Sequence, residues 1–226
     1  MPSIATDPTA LPLSARLARR VRRWFGIDRE RRWNTQYADG VWDRLHDLDE
    51  LAHHSVLAGY AAFFKPDAAL LDVGCGDGVF LTQLRDRYGS YVGLDFAEPI
   101  RRAQSRANER THFAVADINE FTTDDRFDAI VFNETLYYLH DPLAGLRRYR
   151  RFLAPNGVLL ISMHETPRNR ALWEGIDAEY RVLDAVTLTN QRGTQWVAKA
   201  LAGTTRCISP PSASPYQSRT DTAPHP

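Results

Sequence analysis

Past residue 68 the chain keeps repeating one pattern: a short apolar run, a turn, then a stretch with apolar positions at helical spacing. The run 69–73 (ALLDV) reads as a buried strand entering a glycine turn, and 79–88 (VFLTQLRDRY) as the helix behind it. A second strand at 91–95 (YVGLD) leads to a helix over 98–108, and a third strand follows at 112–117 (HFAVAD). A fourth, at 127–133 (FDAIVFN), precedes a helix over 142–153 that Pro155 and Asn156-Gly157 stop, and a fifth strand follows at 157–163. Strands that alternate with helices in this way lie parallel, joined by crossover helices. After a further helix over 168–178, the β-rich runs 180–189 and 194–201 flank the turn Asn190 to Gly193 and read as an antiparallel hairpin. The expectation is an α/β, Rossmann-like three-layer sandwich: a seven-stranded, mostly parallel sheet closed by an antiparallel C-terminal hairpin.

Upstream, 51–64 (LAHHSVLAGYAAFF) reads as a helix, preceded by a linking stretch with Trp33, Tyr37, Trp42 and Leu45. From Ser14, an N-cap residue type, the run to Gly26 puts Leu17, Val21, Trp24 and Phe25 on one stripe facing away from an arginine face. Residues 1–32 are thus expected to be a mobile start plus a basic amphipathic helix. Residues 33–202 are expected to form the folded α/β domain, and 203–226 a disordered tail in which prolines sit among Ser and Thr.

Charge changes the picture only at that start. Lys plus Arg and Asp plus Glu both total 28, so the chain as a whole offers no reason to expect a phosphate backbone as partner. Residues 1–33, however, hold eight arginines against three acids. An arm over 14–32 that lies on nucleic acid or an acidic membrane surface is therefore an alternative to the favoured reading, a helix docked on its own domain. No apolar run approaches the ~18 residues of a membrane span, and no secretory signal is visible. A cytoplasmic protein is expected, with peripheral membrane association as the arm's alternative. Cys75 and Cys207 suggest neither a bridge nor a metal site. His53 and His54, adjacent on a helix, are expected to point in different directions and to form no metal pair.

The chemistry concentrates in Leu70 to Phe80, a strand running into Gly74-Cys75-Gly76-Asp77-Gly78 and out into a helix. Glycines at alternate positions let a ligand approach the backbone, whose free N–H groups face it. Asp95 ends the second strand about 20 residues on, where a carboxylate accepts from both hydroxyls of a ribose, and Asp117-Ile118 ends the third. These positions suit a nucleoside ligand. A nicotinamide dinucleotide fits less well, because the third glycine comes one residue early for GxGxxG and the closing hairpin does not belong to that fold.

These residues resemble the class I S-adenosylmethionine-dependent methyltransferases, in particular the small bacterial ones of types 11 and 12, over about Trp33 to Leu201. The stretches FDAIVFNETLYYLHDP, FLAPNGVLLISM and the C-terminal hairpin resemble later motifs of that family. The resemblance implies a strand order of 3-2-1-4-5-7-6. It also implies a cofactor site of Asp72, Gly74, Gly76, Asp95, Phe96, Asp117, Ile118 and Asn133, the last through its backbone at the methionine end. The implied cofactor is S-adenosylmethionine, leaving as S-adenosylhomocysteine, with no metal. The opening with Trp33, Tyr37, Gly40 and Trp42 belongs to a subset of the family and does not fix the acceptor.

Methyl transfer needs in-line geometry, exclusion of water and a deprotonated acceptor, so positioning is the enzyme's main contribution. Residues after the fourth strand lie where ligands sit in such folds, and Asn133, Glu134, Tyr137, Tyr138 and His140 are expected to line the site. Glu134, His140 and His164 are the candidates for moving a proton. Tyr37 and Trp42 are candidates for a lid, and Tyr137 and Tyr138 for a pocket wall. A small-molecule or sugar acceptor is favoured, because Asn133-Glu134-Thr135-Leu136 lacks a base-reading Asn-Pro-Pro-Tyr. RNA or a lipid-linked acceptor reached through the arm is the first alternative. A catalytically silent binding platform is the second.

Overall fold

The computed structural model describes residues 30–203; the basic helix and the C-terminal tail expected from the sequence lie outside the described residues. Helix α1 spans 30–38, where only a linking stretch was expected. In chain order there follow α2 (Leu48–Phe64), β1 (Ala69–Val73), α3 (Val79–Leu84), β2 (Ser90–Asp95), α4 (Ala97–Ala103) and β3 (Thr111–Val115). Then come β4 (Phe127–Asn133), α5 (Pro142–Arg150), β5 (Leu153–His164), α6 (Pro167–Glu179), β6 (Val182–Thr189) and β7 (Gln195–Ala202). The seven strands form one sheet in the order β3-β2-β1-β4-β5-β7-β6. The first five are parallel, and β7 runs antiparallel to both β5 and β6.

The central strands are buried on both faces, which is why they read as continuous apolar runs. The pleat sends successive residues to opposite layers. Leu71, Ile130, Phe132, Leu159 and Ile161 pack with Leu146 and Tyr149 of α5 and Trp173 and Ile176 of α6. Leu70, Ala129, Val131 and Leu160 pack with Leu57 and Ala61 of α2 and Phe80, Leu81 and Leu84 of α3. Capping sharpens two helix starts: Asp141 accepts from the Ala144 N–H at 3.0 Å and Thr166 from the Asn169 N–H at 3.1 Å, each with proline in the first turn.

Several boundaries differ from expectation. Helix α3 stops at Leu84 rather than running to 88, because Arg85 and Asp86 turn left-handed (φ 48° and 63°). Helix α4 stops at Ala103 and tightens into a 3₁₀ turn over Gln104–Arg106, and α5 ends at Arg150. Strand β3 ends at Val115, so Asp117 falls in the loop beyond it. Strand β5 is longer than expected at both ends. Among the described residues no helix is long and apolar enough to cross a membrane.

Candidate functional site

The sheet's connections reverse direction between β1 and β4, and the crevice outside the carboxyl ends of these strands holds a cavity of about 240 Å³. Its floor is the loop after β1. Gly74, Gly76 and Gly78 all take left-handed backbone (φ 76°, 58° and 88°), a conformation open to glycine at little cost. The Gly74 and Cys75 N–H groups donate to the Leu94 carbonyl at 2.8 and 3.0 Å, tying the loop to the end of β2. A Cβ on Gly74 would lie 2.4 Å from Thr135 Cγ2 and 2.9 Å from its Cβ, while the Thr135 hydroxyl is held by the Val73 carbonyl at 2.6 Å. Gly74→Ala therefore combines a left-handed alanine with overpacking and should cost roughly 2–4 kcal/mol of stability, read from urea unfolding midpoints.

Three carboxylates surround the loop. Asp95, at the end of β2, accepts from the Gly76 N–H at 2.8 Å and the Phe96 N–H at 2.7 Å. Burial pushes its carboxyl up to about 6, against the lowering effect of those two donors. Asp72, 1 % exposed, accepts from the Tyr91 hydroxyl at 2.6 Å through Oδ2, and its Oδ1 has no partner among the described residues. Asp77 meets His46 Nε2 at 2.8 Å and likewise leaves Oδ1 without a partner. Beyond Asp95, Phe96, Ala116, Ile118 and Asn119 complete this half of the wall.

The other half is built by α1, α2 and the ends of β4, β5 and β7. Trp33 stacks on Trp42 with ring centroids 4.7 Å apart and meets Tyr138 edge-on at 5.0 Å. The Tyr37 hydroxyl sits where a side chain at residue 76 would be, 2.6 Å from a Gly76 Cβ, and desolvation raises this buried phenol well above its ordinary value. The 30–47 segment is held down by Arg102, which donates to the Tyr37 carbonyl and to Asp43, and by Asn34, which accepts from the Glu98 N–H.

Deeper in the wall, the Asn133 side-chain amide is a junction. It meets His53 Nδ1 at 2.8 Å, His54 Nδ1 at 2.6 Å and the Ser162 hydroxyl at 2.6 Å. His53 Nε2 in turn meets Glu50 at 3.0 Å, a contact that holds the Glu50 carboxyl below its ordinary value. Desolvation drives buried His54 well below its ordinary value, so it is neutral. Trp196 of β7 lies between His53 and His164, with centroids 5.1 and 5.2 Å away. Glu134, in left-handed backbone (φ 59°), accepts from Ser162, from Tyr137 at 2.9 Å and from the His164 N–H at 3.0 Å. Three donors fix the orientation of its carboxyl group.

A family model described as a methyltransferase domain matches residues 44–214. The chain belongs to the methyltransferase-domain family. An uncharacterized methyltransferase of Mycobacterium tuberculosis is 36 % identical over 108 residues, 46 % of this chain and 55 % of that protein. A ubiquinone biosynthesis O-methyltransferase of Xanthomonas campestris is 33 % identical over 151 residues, covering 63 % and 61 %. The chain thus spans a little over half the length of these relatives. The fold is that of class I methyltransferases. N-methyltransferase NodS from Bradyrhizobium japonicum, solved with S-adenosylhomocysteine, superposes with a TM-score of 0.62 at 22 % identity, over 71 % of this chain and 90 % of that one. A Burkholderia thailandensis 1,6-didemethyltoxoflavin-N1-methyltransferase, solved with that compound and S-adenosylhomocysteine, does so with 0.68 at 19 % identity, over 88 % and 92 %.

In this methyltransferase fold the cavity brings together Asp72, Gly74, Gly76, Asp95, Phe96, Ile118, Asn133, Glu134, His164, Tyr37, Trp42, Tyr137 and Tyr138. Two expected residues fall elsewhere. Asp117 turns its carboxylate onto the backbone and side chain of Asn119, at 2.8 and 2.9 Å, so its neighbours form the wall instead. His140 is exposed on the outside, because the chain after Leu136–Tyr138 turns away toward α5 and the His140 N–H is held by Asn119. The Asn133 side chain, to which the sequence assigned no role, is the wall's junction. His53 and His54, expected to diverge, lie with rings 4.4 Å apart on that one amide. Sequence reasoning missed Glu50, His53, His54, Asn119 and Trp196. For the histidines a signal existed: 53, 57, 61 and 54, 58 share the buried face of α2.

Proposed function

We propose that the chain transfers the methyl group of S-adenosylmethionine to a small-molecule acceptor, with residues 33–202 as the catalytic unit. One observation carries this reading. The glycine loop is ringed by buried carboxylate oxygens, Asp72 Oδ1 and Asp77 Oδ1, that lack partners among the described residues, with the Asp95 carboxylate beside them. Buried acceptors without donors are costly, and a ligand bearing hydroxyls and an ammonium supplies what they lack. The residues present therefore fit an adenosine joined to an amino acid. Asp95 would hold the ribose hydroxyls, Phe96 and Ile118 the adenine faces, and Asp72 the amino-acid end.

When bound, S-adenosylmethionine supplies an electrophilic methyl group on sulfur. The chain's own part is to exclude water and move one proton. Trp33, Trp42, Tyr137 and Tyr138 form an aromatic wall that keeps the cavity dry. Since the Glu134 carboxyl already accepts from three donors, the proton is assigned to the imidazole of His164, which stacks on Trp196 and whose backbone N–H donates to Glu134. Support for a small acceptor comes from the cavity's size and from relatives whose names specify small compounds, ubiquinone and didemethyltoxoflavin among them.

The test is formation of S-adenosylhomocysteine from S-adenosylmethionine with a panel of small hydroxyl and amine compounds. Acceptor-dependent product supports the proposal; turnover with none of them, or only with RNA, counts against it. His164→Ala should lower kcat roughly a hundredfold or more while leaving the dissociation constant of S-adenosylmethionine unchanged.

A further inference from the structure

Asp72 is the most deeply buried carboxyl in the cavity wall, and its surroundings do not suit an isolated charge. It stands on β1, two residues before Gly74, 1 % exposed, with a single hydrogen bond among the described residues, from the Tyr91 hydroxyl of β2 at 2.6 Å. Among the described residues, the titratable groups that face it are Tyr91, Cys75 of the loop and Asp95 of β2, none of them basic. A buried carboxylate with one donor and no cation is expected to hold a proton, because ionisation there forfeits hydration that nothing replaces. Its free oxygen, Oδ1, borders the cavity and has no partner among the described residues.

We infer that ligand binding at this cavity exchanges a proton for an ammonium at Asp72, with Tyr91 as the positioning residue that holds the carboxylate for the exchange. The inference rests on the cofactor reading above and goes beyond it. The balance is simple. The carboxylic acid releases its proton to solvent, no covalent bond to carbon changes, and the resulting carboxylate pairs through Oδ1 with the ligand's α-ammonium. Tyr91 keeps Oδ2 hydrogen-bonded in both states, and its donation favours the ionised form. Burial places the carboxyl at about 7 in the ligand-free protein, so the exchange falls in the neutral range.

The sign follows from the free group's raised value. Below about pH 7 Asp72 starts protonated, and each ligand bound must displace its proton, so affinity rises with pH. Above it the carboxylate is already ionised and the dependence ends.

The experiment is calorimetric titration of the full chain in buffers of different ionisation enthalpy, from pH 6 to 8.5. The two probes are S-adenosylhomocysteine and 5′-methylthioadenosine, which keeps the adenosine and sulfur but lacks the amino-acid end. The expected result is release of about half a proton per S-adenosylhomocysteine bound near pH 7, the fraction of a group titrating there. Release should vanish or reverse above pH 8, and methylthioadenosine should release clearly less at pH 7. Tyr91→Phe, which keeps the buried ring, should move the midpoint of release upward by roughly half to one pH unit, as loss of one hydrogen bond to the charged form requires. A purely packing role for Tyr91 would leave that midpoint in place.

Asp72→Asn should remove the difference between the two probes. Equal proton release by both probes in the unmodified protein, or a midpoint unmoved in Tyr91→Phe, would overturn the inference while leaving the cofactor reading intact. Failure of S-adenosylhomocysteine to bind at all would overturn both.

Discussion

Replacing Asp95 with alanine is expected to weaken S-adenosylmethionine binding at least tenfold while leaving the sheet folded. The carboxylate is positioned by two backbone donors, Gly76 and Phe96, which consume one lone pair on each oxygen and leave the others for ribose hydroxyls. A charge-assisted acceptor of this sort is worth about 1.5–3 kcal/mol, roughly a ten- to hundredfold change in the dissociation constant. The substitution also strips the Gly76 N–H of its acceptor, which loosens the loop beneath the ligand and adds to the loss. Because the acceptor is the ionised form and burial lifts Asp95 to about 6, affinity in the unmodified protein should be fully developed well above pH 6. It should fall as pH drops through that value. Asp95→Ala should show no such fall from this group. Calorimetry at several pH values separates the two; an Asp95→Ala protein that binds as tightly as the parent would remove the carboxylate from the site.

Asn133→Ala should have the largest effect on the side of the cavity built by α2, β5 and β7, and it should appear first as instability. The amide serves His53, His54 and Ser162 at 2.8, 2.6 and 2.6 Å, and all three are buried. Ser162 retains Glu134 as a partner at 3.1 Å and His53 retains Glu50, but His54 Nδ1 is left without a partner among the described residues. A newly orphaned buried polar group costs about 1–3 kcal/mol, and the void left by the side chain adds to this. The expected loss is roughly 2–5 kcal/mol in urea unfolding. Activity should suffer beyond what instability explains, since His53 packs on Trp196 and Trp196 on His164. At a temperature where the variant is fully folded, kcat should fall more than cofactor affinity. A loss below 1 kcal/mol would mean that the amide is not the junction its contacts describe.

What the sequence disclosed depended on how local each signal was. β1 and β4 were legible to the residue because a parallel strand covered on both faces is one apolar run, and β1 ends directly in the glycine loop. Asp95 was legible because strand-turn-helix-strand spacing is a local ruler. Helix ends were harder: α3 terminates through left-handed Arg85 and Asp86, residues that carry no glycine or proline signal. The wall built by α2 and β7 was largely hidden, since Trp196 reaches His53 only because β7 inserts beside β5, far from α2 in sequence. His140 illustrates the opposite error. Its position after β4 suggested the cavity, but the turn over Leu136–Tyr138 carries it past the rim. Asp117 fails similarly, because β3 ends two residues earlier than its apolar run and the carboxylate finds the Asn119 amide instead.

On the proposed function, the loop from Gly74 to Gly78, with Asp72 and Asp95, holds S-adenosylmethionine. The most direct test is calorimetric titration of the purified chain with S-adenosylmethionine and, separately, with NAD. Micromolar binding of the methyl donor at one site per chain, with no heat from the dinucleotide, is the predicted result. Binding of NAD in preference to the methyl donor, or of neither, would contradict it.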